Sequence, residues 1–474
     1  MVAFLISLAI LIGGYFTYGL IVDRIMNTRA DAPVPAVTKA DGVDFVPMAT
    51  WKVFLIQFLN IAGLGPIFGA IMGIMFGPAA FLWISLGTIF AGGVHDYLSG
   101  VISLRNDGCS LPEIIGHELG TNVKRITIVF SVILLLLVGA VFILTPADLL
   151  AGMTPDYLDT RFWIFAIFIY YLLATLLPID KLIGNIYPLF GCALLFMAAG
   201  LLSVLLFGDV TIPVSFADTL SVDTSASIFP MMFVSIACGA ISGFHATQSP
   251  MMARCLKSEK LARPVFYGAM VAEGIVALIW AAAAVAFTGG YEQLSEYMNT
   301  HAGAGALVNE LSRSWLGTFG GVLAVLGVIA APITTGDTAL RSARLMIADF
   351  IKLDQKSILK RLSVTIPIFA TVFLIMMIDF QVLWRYFAWS NQTLSVFTLW
   401  AITFFLGRTR RPYIISLLPA MFMTVISASY LLYAPRPEGF GLSLPISLGI
   451  AAIICALITA IFFKHGRKQL SESK

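Results

Sequence analysis

Charge is scarce in this 474-residue chain: Asp, Glu, Lys and Arg make up 12% of it, against 59% hydrophobic residues. A soluble domain of this size needs a largely polar surface, so the deficit excludes an ordinary water-soluble protein and makes lipid the solvent. The net charge of +3 leaves no electrostatic footprint for nucleic acid. Cysteine is sparse and odd in number. Cys109, Cys192, Cys238, Cys255 and Cys455 are scattered, three of them inside apolar runs, with no zinc-type Cys/His spacing. They read as packing residues, neither disulfides nor metal ligands. No nucleotide-binding loop is visible, so ATP is not expected to supply energy and no cofactor is implied. No nucleophile-base pair stands out, which argues against an enzyme.

What is abundant is long apolar sequence. A bilayer core of about 30 Å takes roughly 20 apolar residues in a helix, because unpaired backbone groups cannot remain in hydrocarbon. That length predicts thirteen spans, near 2–22, 52–76, 79–103, 125–145, 162–178, 183–207, 228–249, 264–287, 315–336, 362–378, 382–406, 412–432 and 443–463. The first run resembles a secretion signal, with Ala30-Asp31-Ala32 as a cleavage box. No positive residue precedes it, it is long for such a signal, and Pro33 follows the box, so it reads as a retained helix.

Cytoplasmic loops retain Lys and Arg. In alternate connections, one set holds all but four of the 29 Lys and Arg; the other holds Arg161, Arg313, Arg385 and Arg436. The N-terminus is therefore expected outside and the C-terminus in the cytoplasm, in a multi-pass protein of the cytoplasmic (inner) membrane. Leu340 to Lys356 sets Leu345, Ile347, Phe350 and Ile351 among four basic residues and predicts an amphipathic helix on the cytoplasmic surface. The outer loop from Tyr291 to Arg313 is expected to hold short helices.

Two spans are interrupted by glycine and small residues: Asn60-Ile-Ala-Gly-Leu-Gly-Pro66 and Ala237-Cys-Gly-Ala-Ile-Ser-Gly-Phe-His245. Glycine costs a helix interior about 1 kcal/mol and Pro66 removes a donor. Each stretch alone is compatible with close helix packing through small residues. As a pair they lie five spans apart and so run in opposite directions, the arrangement of an inverted repeat whose broken helices meet at the midplane. The expected architecture is an all-α membrane protein forming one domain. It has a 5+5 inverted repeat (52–207 and 228–406), an extra N-terminal helix (2–22) and two C-terminal helices (412–463). A half-helix starting near Gly65 offers free N–H groups to an anion, while carbonyls of residues 60–62 suit a cation. Asn60, Gly63, Gly65, Gly239, Ser242 and Gly243 are therefore candidate substrate contacts. Asn391 and Gln392 on the eleventh span add neutral donors and acceptors, or serve as interhelical glue.

Ionisable residues inside spans are costly unless they face a partner or water. They are His95, Asp96, His245, Glu273 and, at the inner end of its helix, Asp337. Glu273 lies nine residues into its span, about 14 Å along a helix, at the depth of a proton carrier. Asp337 belongs to Thr334-Thr335-Gly336-Asp337-Thr338, a set of hard oxygen donors for sodium or a proton. His95 and Asp96 are weighed between ion coupling and a salt bridge from Asp96 to Arg105 or a loop arginine. His245 follows the second break, where it can face substrate.

These residues sit in stretches that resemble the carbon starvation protein A family of peptide and pyruvate transporters, in a short form. The matching stretches are Asp41-Gly-Val-Asp-Phe-Val-Pro47, Ile61-Ala-Gly-Leu-Gly-Pro66, Ala91-Gly-Gly-Val-His-Asp-Tyr97, Ala237 to His245, Tyr267-Gly-Ala-Met270 with Glu273, Asp337 with Arg341-Ser-Ala-Arg344, and Trp389-Ser-Asn-Gln392. The resemblance implies secondary uptake of peptides or pyruvate when richer carbon is scarce, coupled to protons or sodium, on a fold of the amino-acid transporter (LeuT) type. Where long members carry a His-His pair before the first break, this chain has Ile56-Gln57, so a proton role resting on that pair does not transfer. The alternative class is a membrane-embedded nutrient sensor that binds ligand without moving it.

Overall fold

The computed structural model describes residues 1–42, 45–176, 179–216, 227–300, 303–355 and 357–472, and among these there is no β-strand. Val43 and Asp44 of the Asp41–Pro47 stretch, and Lys356 at the end of the expected surface helix, lie outside the described residues. Among the described residues eight helices are long and apolar enough to cross a membrane, nine if the bent pair Thr50–Ile61 and Gly65–Ile74 counts as one span. The remaining expected segments are also helical but fall short in length, continuity or apolarity. Thr160–Thr175 is a shorter apolar helix. Ala79–Arg105 is interrupted by a π-helical turn, and Ile228–Ala253 is broken.

Burial separates the helices into a core and a periphery. In the most apolar window of Thr121–Ala151, 72% of residues are buried, against 22% for Val2–Met26 and for Leu444–Lys464. The first and last spans are thus outer helices that face lipid. The central contact joins Thr121–Ala151 to Ala330–Phe350. Gly139 packs there against the Leu340 side chain, which a Cβ would meet at 2.5 Å and push aside.

Among the described residues four π-helical turns occur, at Gly65–Gly69, Thr88–Gly92, Arg263–Tyr267 and Val325–Ile329. Such turns are rare and concentrate at functional sites, because the extra residue rotates every side chain that follows. Here the first lies in the first break, and the other three precede His95-Asp96, Glu273 and Thr334 to Asp337.

Two expectations fail. The segment from Leu340 is no separate surface helix: Ala330–Phe350 is one continuous helix, and Arg341 and Arg344 are 2% and 5% exposed. Arg341 reaches inward and donates to the Ala174 carbonyl (2.6 Å). Hydrophobic spacing on a helix extending past its span was mistaken for amphipathicity at a surface. By the same continuity Asp337 lies in mid-helix and not at its inner end. The connection at 291–313 does contain the expected helices, Tyr291–Thr300 and the start of Gly303–Ala324, with a left-handed break at Gly317 (φ 62°).

Candidate functional site

The two breaks begin with the same backbone conformation. Ala62 ends the Thr50–Ile61 helix at φ −83°, ψ 45°, and Ile236 ends Ile228–Ser235 at φ −86°, ψ 49°. After Ala62 the chain re-enters helix at Gly65, with the two halves bent by 54°. After Ile236 it makes the short Ala237–Ala240 turn, extends at Ile241 and starts the His245–Ala253 helix.

The breaks touch each other, and glycine is what lets them. A Cβ on Gly65 would overlap the Cβ and Sγ of Cys238, and one on Gly73 would overlap Ile236. Gly239 lies against Pro66, its virtual Cβ 3.8 Å from that Cα. The Gly239 carbonyl accepts from Thr88 Oγ1 (3.1 Å).

The breaks differ in how their polar backbone is satisfied. Asn391 closes the second: its Oδ1 accepts from the Phe244 N–H (2.7 Å) and Ser242 Oγ (3.0 Å), its carbonyl accepts from the Gly243 N–H (3.1 Å), and its Nδ2 reaches Cys238 Sγ (3.3 Å). Gln392 donates to the Phe233 carbonyl (3.3 Å). The first break has no such cap. The N–H groups of Gly63 and Leu64 have no acceptor among the described residues, and both side-chain polar atoms of the fully buried Asn60 lack a partner. Buried amide groups are nearly always bonded, so an uncapped break beside an unpartnered carboxamide is a place for a ligand. Both breaks carry the residues expected, but in the second Asn391 occupies the N–H groups of Gly243 and Phe244, whereas the first has no comparable side-chain cap.

The buried ionisable residues form one chain. His95 Nδ1 lies 2.7 Å from Asp96 Oδ1, His245 Nδ1 lies 3.0 Å from Asp96 Oδ2, and His245 Nε2 lies 3.5 Å from Glu273 Oε2. All four side chains are fully buried. With both imidazoles carrying hydrogen on Nδ1, Asp96 accepts from each, and His245 Nε2 then presents a lone pair toward Glu273. The last step is longer than a hydrogen bond, and neither Glu273 oxygen has a hydrogen-bond partner. This corrects the pairing of Asp96 with Arg105. Arg105 binds Glu259 (2.5 Å) and the Met26 carbonyl (2.8 Å) at the end of its helix. His245, at the start of the helix after the second break, belongs to this ionic chain.

Asp337 forms a separate group. Its Oδ2 accepts from Tyr187 Oη (2.7 Å), and its Oδ1 has no hydrogen-bond partner. Thr335 Oγ1 lies 3.2 Å from the Leu59 carbonyl and would be 3.3 Å from a Cβ on Gly63, so it faces the first break. Thr334 Oγ1 donates to the Ala331 carbonyl (2.7 Å). Tyr187 and Ser249, which accepts from Gln57 Nε2 at 3.3 Å, were missed by sequence reasoning. Tyr187 could have been found as a hydroxyl inside an apolar run; nothing in sequence pairs Gln57 with Ser249. No cluster of three or more His, Cys, Asp or Glu suited to a metal occurs among the described residues.

Two touching chain breaks with buried ionisable groups beside them stand inside a many-helix membrane bundle, and solved structures share its fold. A manganese transporter of Eremococcus coleocola superposes with a TM-score of 0.53 over 91% of this chain and 99% of that one, at 13% identity, a likeness of fold alone. The chain belongs to the carbon starvation protein CstA family, whose profile matches residues 1–157 and 153–315. A membrane protein of Haemophilus influenzae without assigned function is 41% identical over 338 residues, 60% of this chain and 91% of that one. A peptide transporter CstA of Mycobacterium tuberculosis is 30% identical over 57% of this chain and 44% of its own. The pyruvate/proton symporter BtsT of Escherichia coli is 27% identical over 58% and 47%. The match thus spans less than half of either named transporter.

Proposed function

We propose that this protein is a secondary transporter that imports a small carboxylate-bearing nutrient, a peptide or pyruvate, across the cytoplasmic membrane together with a proton. The reading takes thirteen spans in the LeuT-type arrangement, with 52–207 and 228–406 as inverted repeats and the N-terminus outside. The matching backbone angles at Ala62 and Ile236 support the repeat.

The observation that carries the function is the juxtaposition of an uncapped break with the buried ionic chain. The N–H groups of Gly63, Leu64 and Gly65, at the positive end of the re-entering helix, take the substrate carboxylate, with Asn60 Nδ2 as a further donor. Gly239, Ser242 and Gly243 shape the facing wall, held by Asn391 and Gln392. The proton resides on the chain from His95 and Asp96 through His245 to Glu273. His245 belongs to the second broken span, whose partner segment Ala237–Ala240 lies against the first break, so a rearrangement at the breaks changes the 3.5 Å step to Glu273. Sodium is the second reading, and the setting of Thr335 and Asp337 with its open Oδ1 favours it.

Purified protein in proteoliposomes, given an imposed proton or sodium gradient and either pyruvate or small peptides, tests all of this. A proton gradient is expected to drive uptake, and Glu273→Gln is expected to abolish that drive while leaving substrate binding measurable. Unchanged uptake in the variant removes Glu273 from the mechanism. Binding without counterflow of labelled substrate would identify a sensor instead.

A further inference from the structure

At the end of the bundle that carries the 291–313 connection lies a cavity of about 1170 Å³, which reaches the re-entering half of the first break at Phe68 and Met72. Its floor is aromatic: Phe68, three residues past Gly65, stands 6.2 Å from Trp384, which stands 6.2 Å from Phe380 (ring centroids). One wall is the helix that starts at Gly303. Gly305, Asn309 and Arg313 recur every four residues, so they share one face and span about 12 Å of its length. All three line the cavity. Gly305 sits at the floor, where a Cβ would be 3.7 Å from the Phe68 ring, and Asn309 Oδ1 is buried without a partner.

The charges on this surface are unlike those of a monoanion site. Among the described lining residues Arg313 is the one base, while Asp148 and Glu310 supply two carboxylates. Arg313 has no carboxylate partner among the described residues. Asp148 lies in the last turn of Thr121–Ala151, where a negative charge opposes the helix dipole and no basic residue offsets it. Glu310 accepts from Tyr297 Oη (2.5 Å). A free monocarboxylate entering here would meet an excess of negative charge, whereas a molecule with an ammonium at one end and a carboxylate at the other matches both signs.

We propose that this cavity is a docking site for a small zwitterion, an amino acid or short peptide, whose carboxylate binds Arg313 and whose ammonium binds Asp148 and Glu310, with Asn309 accepting from a backbone amide. It deepens the import reading by favouring peptide over pyruvate, and rests on that reading in taking this end as the outer one.

The test is ligand protection of a cysteine placed in the cavity, Ser314→Cys, in the full-length protein in detergent. Maleimide modification at position 314 is read by mass spectrometry. Dialanine is expected to slow modification several-fold, N-acetyl-dialanine and pyruvate to have little effect, and Arg313→Gln to raise the dialanine concentration needed by about tenfold, as for a lost charge-assisted bond. Arg313→Lys, with thermal stability measured beside it, is expected to restore part of the protection and separates charge from folding. Equal protection by all three ligands, none by any, or protection unchanged by Arg313→Gln would overturn the proposal. The readout does not depend on transport: absent uptake with intact protection would sink the import reading and leave this site standing.

Discussion

Replacing Gly65 by alanine probes the contact on which the site is built. The added Cβ would lie less than 3.0 Å from both Cys238 Cβ and Sγ, a separation real Cβ atoms essentially never show. The sulfur can turn away about χ1, but the Cys238 Cβ is fixed by the backbone of the short turn of the second break. Relief therefore requires the two breaks to move apart. Overpacking of this kind costs about 1–3 kcal/mol. The reciprocal change removes the clash: with Cys238→Gly the next atom is the Cα at 3.5 Å, an ordinary contact. Thermal unfolding in detergent and proteoliposome uptake, measured on both single variants and the double, form a cycle. The coupling energy is expected at about 1–3 kcal/mol in favour of the double variant, with Gly65→Ala nearly inactive and the double variant recovering uptake. Because Cys238 also accepts from Asn391 and contacts Ser242, Cys238→Gly alone will cost something, which the cycle subtracts. Additive effects of the two changes would refute the direct crossing of the breaks.

Asn391→Ala strips acceptors from the Phe244 N–H and Ser242 Oγ, leaving buried donors unpaired at about 1–3 kcal/mol. Asn391→Asp keeps the acceptor and is expected to retain more stability, so a thermal-shift ranking with the alanine variant equal to wild type would contradict the capping role. Burial, aided by Glu113, pushes the Cys109 thiol up to about 12, so it stays protonated at pH 8. Alkylation there is expected to run about three orders of magnitude below a free thiol and to rise about tenfold per pH unit up to pH 11. Because the folded form holds that proton more tightly, its contribution to stability is full below about pH 8.5 and fades as pH climbs toward 12. Labelling of Cys109 at a free-thiol rate would show that the burial is wrong.

The breaks were legible because glycine and proline in an apolar run leave few conformations; their opposite direction belongs to the proposed thirteen-span arrangement. The ionisable residues were legible singly for the same reason, each being out of place in lipid. Their grouping was not. Asp96 and His245 are 149 positions apart, and no local pattern records such a pairing. The nearest arginine in sequence misled: Arg105 is nine residues on, about 14 Å up the same helix, beyond its own reach back to Asp96 and beside Glu259 instead. The cap on the second break was hidden likewise, since Asn391 acts through space on backbone 147 residues away. The π-helical turns carry no compositional mark, yet they set which way His95, Glu273 and Asp337 point.

The single imidazole between Asp96 and Glu273 also bears on electricity. If each cycle carries one proton through His245, as proposed above, the net charge moved with each substrate depends on the cargo. A pyruvate anion and that proton cross as a neutral pair, and the membrane voltage does no work on them. A zwitterionic peptide and the same proton cross with a net positive charge, and each 100 mV, negative inside, adds about 2.3 kcal/mol to the drive for uptake. With one proton per cycle, the choice of cargo would thus be a choice between voltage-blind and voltage-driven uptake.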